Sequence, residues 1–424
     1  MVVRTMAVVL LFAFSTSLLP AQSGDGAYVI RNVRVFDGES VAERQTVVIS
    51  EGKISAVGSA VAIPAGAQEI AGEGRTLLPG LMDAHVHLPL FGAAGALQQN
   101  LAFGVTTAIV MGTNQQGMSQ VKQIEAADSF DAASILTAGP VATVPGGHPA
   151  QMEGGARPGS IPTLSTPGEA DAFVAARLTE GSDFIKIIYD DIASYGKALP
   201  MLDEATVAAL VKAAHARGRI AVAHIGTERH ARGAIASGVD GLAHLFEGAA
   251  VSPDFGQFAA KHGVFVIPTL STLYSGCGKP DGPGLLQDAD AMKHVKPQCR
   301  SLLEMSSPPA KLSCDALPQT IRQLVAAGVP VLAGTDTPYP GLTYGASLHR
   351  ELEHLVNAGL TPAAALTAAT SVVARAFRMN DRGRIRTGMR ADLLLVDGDP
   401  SKQIRDTRNI VAIWKRGVRV QRAA

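Results

Sequence analysis

His85 and His87 stand two apart in the apolar stretch Leu78-Pro-Gly-Leu-Met-Asp-Ala-His-Val-His-Leu88. On a short strand, residues at that spacing point to the same face, so the two imidazoles can hold one metal ion together. A lone His-x-His pair is weak evidence, because eleven histidines in 424 residues make chance pairs common. Its weight comes from Lys186, His224, His244 and Asp336, each at the C-terminal end of a later strand-like run. As an ordered set they predict a two-metal hydrolase.

Eight short apolar runs position these residues: 81–87, 106–112, 133–139, 184–190, 220–226, 241–246, 264–271 and 329–336. Ala-rich amphipathic stretches alternate with them, the pattern of repeated βα units around a parallel sheet. Eight is the number of a (β/α)8 TIM barrel, whose chemistry collects at the C-terminal ends of the strands. Residues 27–79 instead alternate in the manner of half-buried strands, and residues 381–422 return to that texture. The fold expected is α/β: a barrel over 80–380 beside a β-sandwich formed by both termini. Two long connections, 140–167 and 272–314, are expected to overhang the site as substrate walls or lids.

At this point the chain resembles the amidohydrolase superfamily, metal-dependent hydrolases with a flanking β-sandwich, and in particular its prolidase-like and imidazolonepropionase-related branch. The resemblance covers nearly all of the chain after residue 22. It rests on His85-x-His87, Phe-Ile-Lys186-Ile, Val-Ala-His224-Ile, Leu-Ala-His244-Leu and Ala-Gly-Thr-Asp336. It implies that His85, His87 and Asp336 hold one divalent ion and His224 and His244 a second, the metal being zinc. Lys186, converted by carbon dioxide to a carbamate, would bridge them. A hydroxide held between the ions would attack an amide or peptide bond while Asp336 carries the proton. The alternatives are a cyclic-amide or lactone hydrolase, or a deaminase, of the same superfamily. Deaminases often carry His-x-x-Glu after strand five; here Thr227 stands at that offset, and His244-Leu-Phe-Glu247 follows strand six instead. A barrel that has lost catalysis would usually have lost ligands, and all six are present.

The residues themselves support a buried lysine. Phe184, Ile185, Ile187 and Ile188 surround Lys186, which makes its strand apolar on both faces, and desolvation favours the neutral amine that carbon dioxide requires. His148 lies in Pro145-Gly-Gly-His-Pro just past the third run and resembles the Gly-Gly-His segment of prolidase-like enzymes, which implies a substrate or transition-state contact. Tyr189, Tyr274 and Arg157 are further candidates for holding a substrate carboxylate. The remaining histidines read as structural or unassigned: His215 lies on an amphipathic helix, His230 and His262 have no partner pattern, and His294 falls in the second long connection. His349 and His354, five apart, lie about 140° from each other on a helix and cannot form a zincin pair.

Composition sets the outer bounds. Lys plus Arg and Asp plus Glu number 37 each, and the basic residues are scattered, so nothing indicates a nucleic-acid surface. A small-molecule amide or short peptide is the partner expected. The sequence is compatible with a homo-oligomer and does not fix the number of copies. Met1-Val-Val-Arg-Thr, an apolar run over 6–19 and Pro20-Ala-Gln-Ser read as a cleaved signal peptide over 1–22, hence export to the periplasm or beyond. That run is too short for a membrane span, so stable membrane insertion is not expected. Cys277, Cys299 and Cys314 then meet oxidising conditions, where two of them can pair.

Overall fold

Two parallel sheets and one mixed sheet organise the chain in the computed structural model, which describes residues 26–89, 92–127, 129–153, 161–196, 198–306 and 313–422. The leader expected over 1–22 and the candidate Arg157 lie outside the described residues. The alternating N-terminal segment forms β1 (Tyr28–Phe36), β2 (Val41–Ser50), β3 (Lys53–Gly58), β4 (Gln68–Ala71) and β5 (Arg75–Pro79). Then come β6 (Leu81–Val86), β7 (Val105–Val110) and β8 (Ser134–Thr137), followed by β9 (Ile185–Ile188), β10 (Ala221–His224), β11 (Gly241–Ala243) and β12 (Phe265–Ile267). The chain ends in β13 (Leu393–Asp397), β14 (Ile410–Lys415) and β15 (Val418–Arg419).

Strands β6-β7-β8 make one parallel sheet and β12-β11-β10-β9 another. Their side chains alternate between two cores, as a period of two requires. Met82, Ile109, Phe184, Val222, Ile267 and Leu332 belong to one apolar cluster, and Leu81, Val105, Ile185, Ala223, Val266 and Val331 to another that includes the flanking helices. The sheets approach each other at both edges. Ala142 N–H donates to Lys186 O at 2.8 Å, and Ala142 O accepts from Ile188 N–H at 2.9 Å.

The eighth expected strand, 329–336, is irregular. Val331 and Thr337 make isolated bridges, to Val266 and Val86. Pro330 and Pro338 lack the N–H that a continuous ladder needs. The segment still bonds both neighbours, through Leu332 N–H to Val266 O (2.9 Å) and Asp336 N–H to His85 O (2.7 Å). Gly334 permits this approach: a Cβ there would lie 2.9 Å from His85 N and 2.6 Å from Ile267 Cγ2.

Strands from both termini join in one eight-stranded sheet, β15-β14-β13-β5-β1-β2-β3, with β4 beside β1. Both termini thus share one hydrogen-bonded sheet with a common core that includes Ile30, Val47, Leu77, Leu393 and Trp414. Alternation reports that one face of a strand is buried and says nothing of what covers it.

The connection 272–314 is also not a structureless loop. It carries helices Leu270–Gly276, Gly282–Leu286, Ala289–Met292 and Pro297–Glu304, the last opened by its own proline. A Cys277–Cys314 disulfide ties its ends, and Cys299 is a buried free thiol. The disulfide spans 37 positions, so restricting the unfolded chain is worth roughly 4 kcal/mol. The Cys314→Ser variant should therefore melt several degrees below wild type in non-reducing buffer, and reductant should lower the wild-type value towards it. Equal melting temperatures would count against the closure. No helix among the described residues is long and apolar enough to cross a membrane.

Candidate metal centre

Strand β6 delivers its two histidines through an irregularity. Its pairing with β7 shifts register between Asp83 and Val86, so Ala84 stays in the inner apolar cluster while His85 and His87 also converge. Their Nε2 atoms lie 3.3 Å apart, and Asp336 Oδ1 is 3.1 Å from that of His85 and 3.3 Å from that of His87. His87 Nδ1 is 3.1 Å from Gly112 O, a pure acceptor, so Nδ1 carries the proton and Nε2 presents its lone pair. His85 is fully buried, and burial pushes its imidazole down to about 3, leaving it neutral. Burial raises the Asp336 carboxyl, but the facing His85 and His244 outweigh it and hold the group well below the usual carboxylate range. Two imidazole lone pairs and an anionic oxygen thus face one another within about 3.3 Å, an arrangement that repels itself without a cation. The N,N,O donor set suits zinc.

His244 stacks 4.7 Å from both His85 and His224, ring centre to ring centre. Its Nδ1 meets Thr269 Oγ1 at 2.8 Å. Lys186, on β9, is 2% exposed, and burial lowers its amine to about 7. His148 lies with its ring 5.3 Å from that of His224, half-buried, and burial together with His224 lowers it to about 4. Its Nδ1 is held at 3.0 Å by the Gln151 side chain, with the amide oxygen accepting. His244, Thr269 and Asp336 adopt φ of 73°, 48° and 60°, the left-handed region that costs about 1–3 kcal/mol for such residues and collects at functional sites.

Tyr189 and Tyr274 are placed elsewhere. Tyr189 lies three positions after Lys186, an odd offset that turns it to the opposite face; its hydroxyl donates to Glu204 Oε1 at 3.2 Å and its ring packs on His230. The Tyr274 ring stacks 4.9 Å from His354, whose Nε2 is in turn 3.0 Å from Asp281, so its neighbours are helix side chains, not the converging ligands. His349 is buried between Thr407 Oγ1 and Phe103 O, and His215 bonds Asp240.

Sequence reasoning passed over Asp83 and Asp190. Asp83 is fully buried and ties β6 to the eighth segment: its Oδ1 accepts from His85 N–H (3.1 Å) and Thr335 N–H (2.9 Å), its Oδ2 from the Thr335 hydroxyl (2.7 Å). A charged residue inside an apolar run, two before the first histidine, was the available signal. Asp83→Ala orphans two buried N–H groups next to His85 and Asp336 and should cost about 2–4 kcal/mol. Asp83→Asn keeps one carbonyl oxygen, and the Thr335 hydroxyl can turn to accept from its amide, so the loss should be at most half as large. Denaturant unfolding of both variants checks this; equal losses would refute the role given to Asp83.

A family model described as Amidohydrolase family matches residues 76–421. The chain belongs to the amidohydrolase family. Among curated relatives, this amidohydrolase is 26% identical over 271 residues to the uncharacterized protein Rv2915c of Mycobacterium tuberculosis, a match spanning 62% of the chain and 65% of that protein, just under two thirds of its length. It is 34% identical over 117 residues to the imidazolonepropionase of Streptomyces griseus, covering 27% of the chain and 30% of that enzyme. Among solved structures, a Xaa-Pro dipeptidase with methionine bound in its active site superposes with a TM-score of 0.76 at 24% identity, over 93% of this chain and 100% of that one. That likeness gives the amidohydrolase the TIM-barrel type of fold of its neighbours. The family is one of metal-dependent hydrolases acting on carbon–nitrogen bonds.

Proposed function

We propose that this amidohydrolase cleaves an amide or peptide bond in a small substrate, a dipeptide (Xaa-Pro or other) or an N-acyl amino acid, with a pair of divalent ions held by its own side chains. The observation that carries this reading is the convergence of His85, His87 and Asp336 in a family member whose Lys186 lies in β9, whose His224 ends β10 and whose His244 follows β11, three neighbouring parallel strands. His85, His87 and Asp336 would hold one ion and His224 and His244 the other. Lys186, as a carbamate formed when its neutral amine attacks carbon dioxide and releases a proton, would supply an oxygen to each. Bound there, zinc or a similar ion would supply Lewis-acid polarisation of the scissile carbonyl and acidify the attacking water.

The chain's own groups complete the chemistry. Asp336, anionic and 3.1 Å from His85, accepts the proton of the attacking water and returns it to the leaving amine. His148, neutral at pH 7 with its one N–H on Nδ1 turned to Gln151, would meet the substrate through Nε2, as an acceptor for a substrate N–H. The eight segments are read as a closed (β/α)8 barrel over 80–380, supported by the bridges Ala142–Ile187, Val266–Val331 and Val86–Thr337. The flanking unit, 27–79 with 381–422, is read as a β-sandwich curled from the single sheet. Export behind a cleaved leader over 1–22 is supported by the Cys277–Cys314 disulfide, which persists in oxidising compartments.

The similar Xaa-Pro dipeptidase structure favours the dipeptide arm. The stretch shared with imidazolonepropionase favours a cyclic amide as the second reading. Amine release from zinc-loaded protein separates them, across Xaa-Pro dipeptides, other dipeptides, N-acyl amino acids, ring amides and lactones. Turnover confined to the linear amides supports the proposal, and turnover confined to rings overturns it in favour of the second reading.

A further inference from the structure

We infer that Asp190 and His230 form a positioning pair that fixes which nitrogen of His224 bears the proton, so that His224 offers Nδ1 to the metal centre. The inference rests on the metal centre proposed above. Asp190 follows Lys186 by four positions, an even offset, and is 2% exposed. Its Oδ2 lies 3.3 Å from His224 Nε2, and its Oδ1 lies 3.1 Å from His230 Nδ1 and accepts from Ile192 N–H at 3.1 Å. A carboxylate among such neighbours only accepts, so each histidine must turn an N–H towards it.

The far end of the line sets the direction independently. Arg229 Nη2 lies 2.8 Å from His230 Nε2. A guanidinium only donates, so Nε2 accepts and the one proton of a neutral His230 sits on Nδ1, facing Asp190. His230 is 1% exposed, with no room to turn to solvent. Asp190 thus faces His230 Nδ1 at 3.1 Å through Oδ1, at ion-pair distance, and keeps its other oxygen for His224. With Nε2–H engaged, His224 has its lone pair on Nδ1, and its ring lies 4.7 Å from that of His244 and 5.3 Å from that of His148. Fixing a ligand's tautomer through a carboxylate raises its basicity and spares the ion the cost of orienting it.

The backbone makes room for this arrangement. A Cβ on Gly226 would stand 2.4 Å from Asp190 Oδ2 and 2.8 Å from Oδ1, so any side chain there would expel the carboxylate from beneath His224. The ligand atoms of Asp190, Asp191 and His230 also come within 4.8 Å of one another, the grouping of an ion site. Arg229 and the proton on His230 Nδ1 oppose that use, and Asp191 Oδ1 is taken by Ala193 N–H at 3.1 Å.

The test uses the full chain loaded with cobalt(II) as probe and reads the visible spectrum, the affinity of each ion by chelator competition, and imidazole nitrogen shifts by NMR. Asp190→Asn presents an amide N–H to one of the two histidines. The expected result is about a 10–100-fold loss in affinity for one of two ions, with an altered cobalt spectrum and a His224 tautomer that is mixed or reversed. His230→Gln, which can still donate to Asp190, should hold closer to wild type than His230→Phe; this second pair keeps the test open if Asp190→Asn fails to fold. Melting temperatures of the metal-free variants separate loss of aim from loss of fold. Unchanged affinity and spectrum in Asp190→Asn or His230→Phe would overturn the inference. A third ion in wild type, lost with His230→Phe, would overturn it too. If wild type itself binds no cobalt, it is the proposed metal centre that fails, and the variants are not needed to say so.

Discussion

Lys186→Met is expected to fold as well as wild type, to carry fewer than two ions and to retain on the order of a thousandth of the wild-type turnover. Lys186 is 2% exposed, and burial pulls its amine down to about 7, so the folded chain pays to keep that nitrogen out of water. Methionine fills nearly the same volume without the amine, which removes the desolvation cost and leaves no cavity. Activity should respond in the opposite direction. Losing a bridging anion forfeits several kcal/mol of transition-state stabilisation, and about 4 kcal/mol corresponds to roughly a thousandfold in rate. In Lys186→Ala, where space is opened, acetate or formate should restore part of the activity by standing in for the carbamate. Thermal unfolding, metal content and kcat on the same preparations check all three parts. A Lys186→Met protein that turns over normally with a full metal complement would eliminate the carbamate.

Asp336→Asn should be nearly as damaging for a different reason. Asn keeps the outline of the side chain and tolerates the left-handed backbone that Asp336 adopts at φ 60°, so the fold should change little. It replaces an anionic oxygen, 3.1 Å from His85 Nε2 and 3.3 Å from His87 Nε2, with a neutral amide that cannot accept the proton of the attacking water. The expected loss is about 10²–10⁴-fold in kcat, the range of a general base, with further loss wherever the ion itself is released. Asp336→Ala should lose as much and also melt earlier, because alanine is strained at that φ. Retention of more than a tenth of wild-type kcat by Asp336→Asn would remove Asp336 from the proton path.

The meeting of His85, His87 and Asp336 could be read from the sequence because each lies at the end of an apolar run, and strand ends in a parallel α/β fold collect on one face. His85, His87 and Asp336 converge across 251 positions of chain for that reason. Lys186 was legible from its apolar neighbours, which leave a strand no solvent face. The misses follow from what period and composition omit. Tyr189 follows Lys186 at an odd offset and Asp190 at an even one, a parity that composition and motif do not report. His230 carries no motif: it matters only because a helix of the next βα unit brings it under a strand of the previous one. The eighth segment kept its ligand while losing its regular ladder to Pro330 and Pro338, and hydrophobic pattern alone does not report hydrogen-bond donors. The helices of 272–314 are only four to eight residues long, too short for an apolar period to register.

The central claim, that His85, His87, Lys186, His224, His244 and Asp336 hold catalytic metal in an amide-hydrolysing enzyme, is tested most directly by counting metal against turnover in one preparation. Elemental mass spectrometry would give ions per chain, and amine release the rate, for purified protein, for protein stripped by chelator, and for stripped protein resupplied with zinc and bicarbonate. Close to two ions per chain are expected, with loss of activity in proportion to their removal and recovery on resupply. Undiminished amide hydrolysis by protein that the chelator has emptied would contradict it.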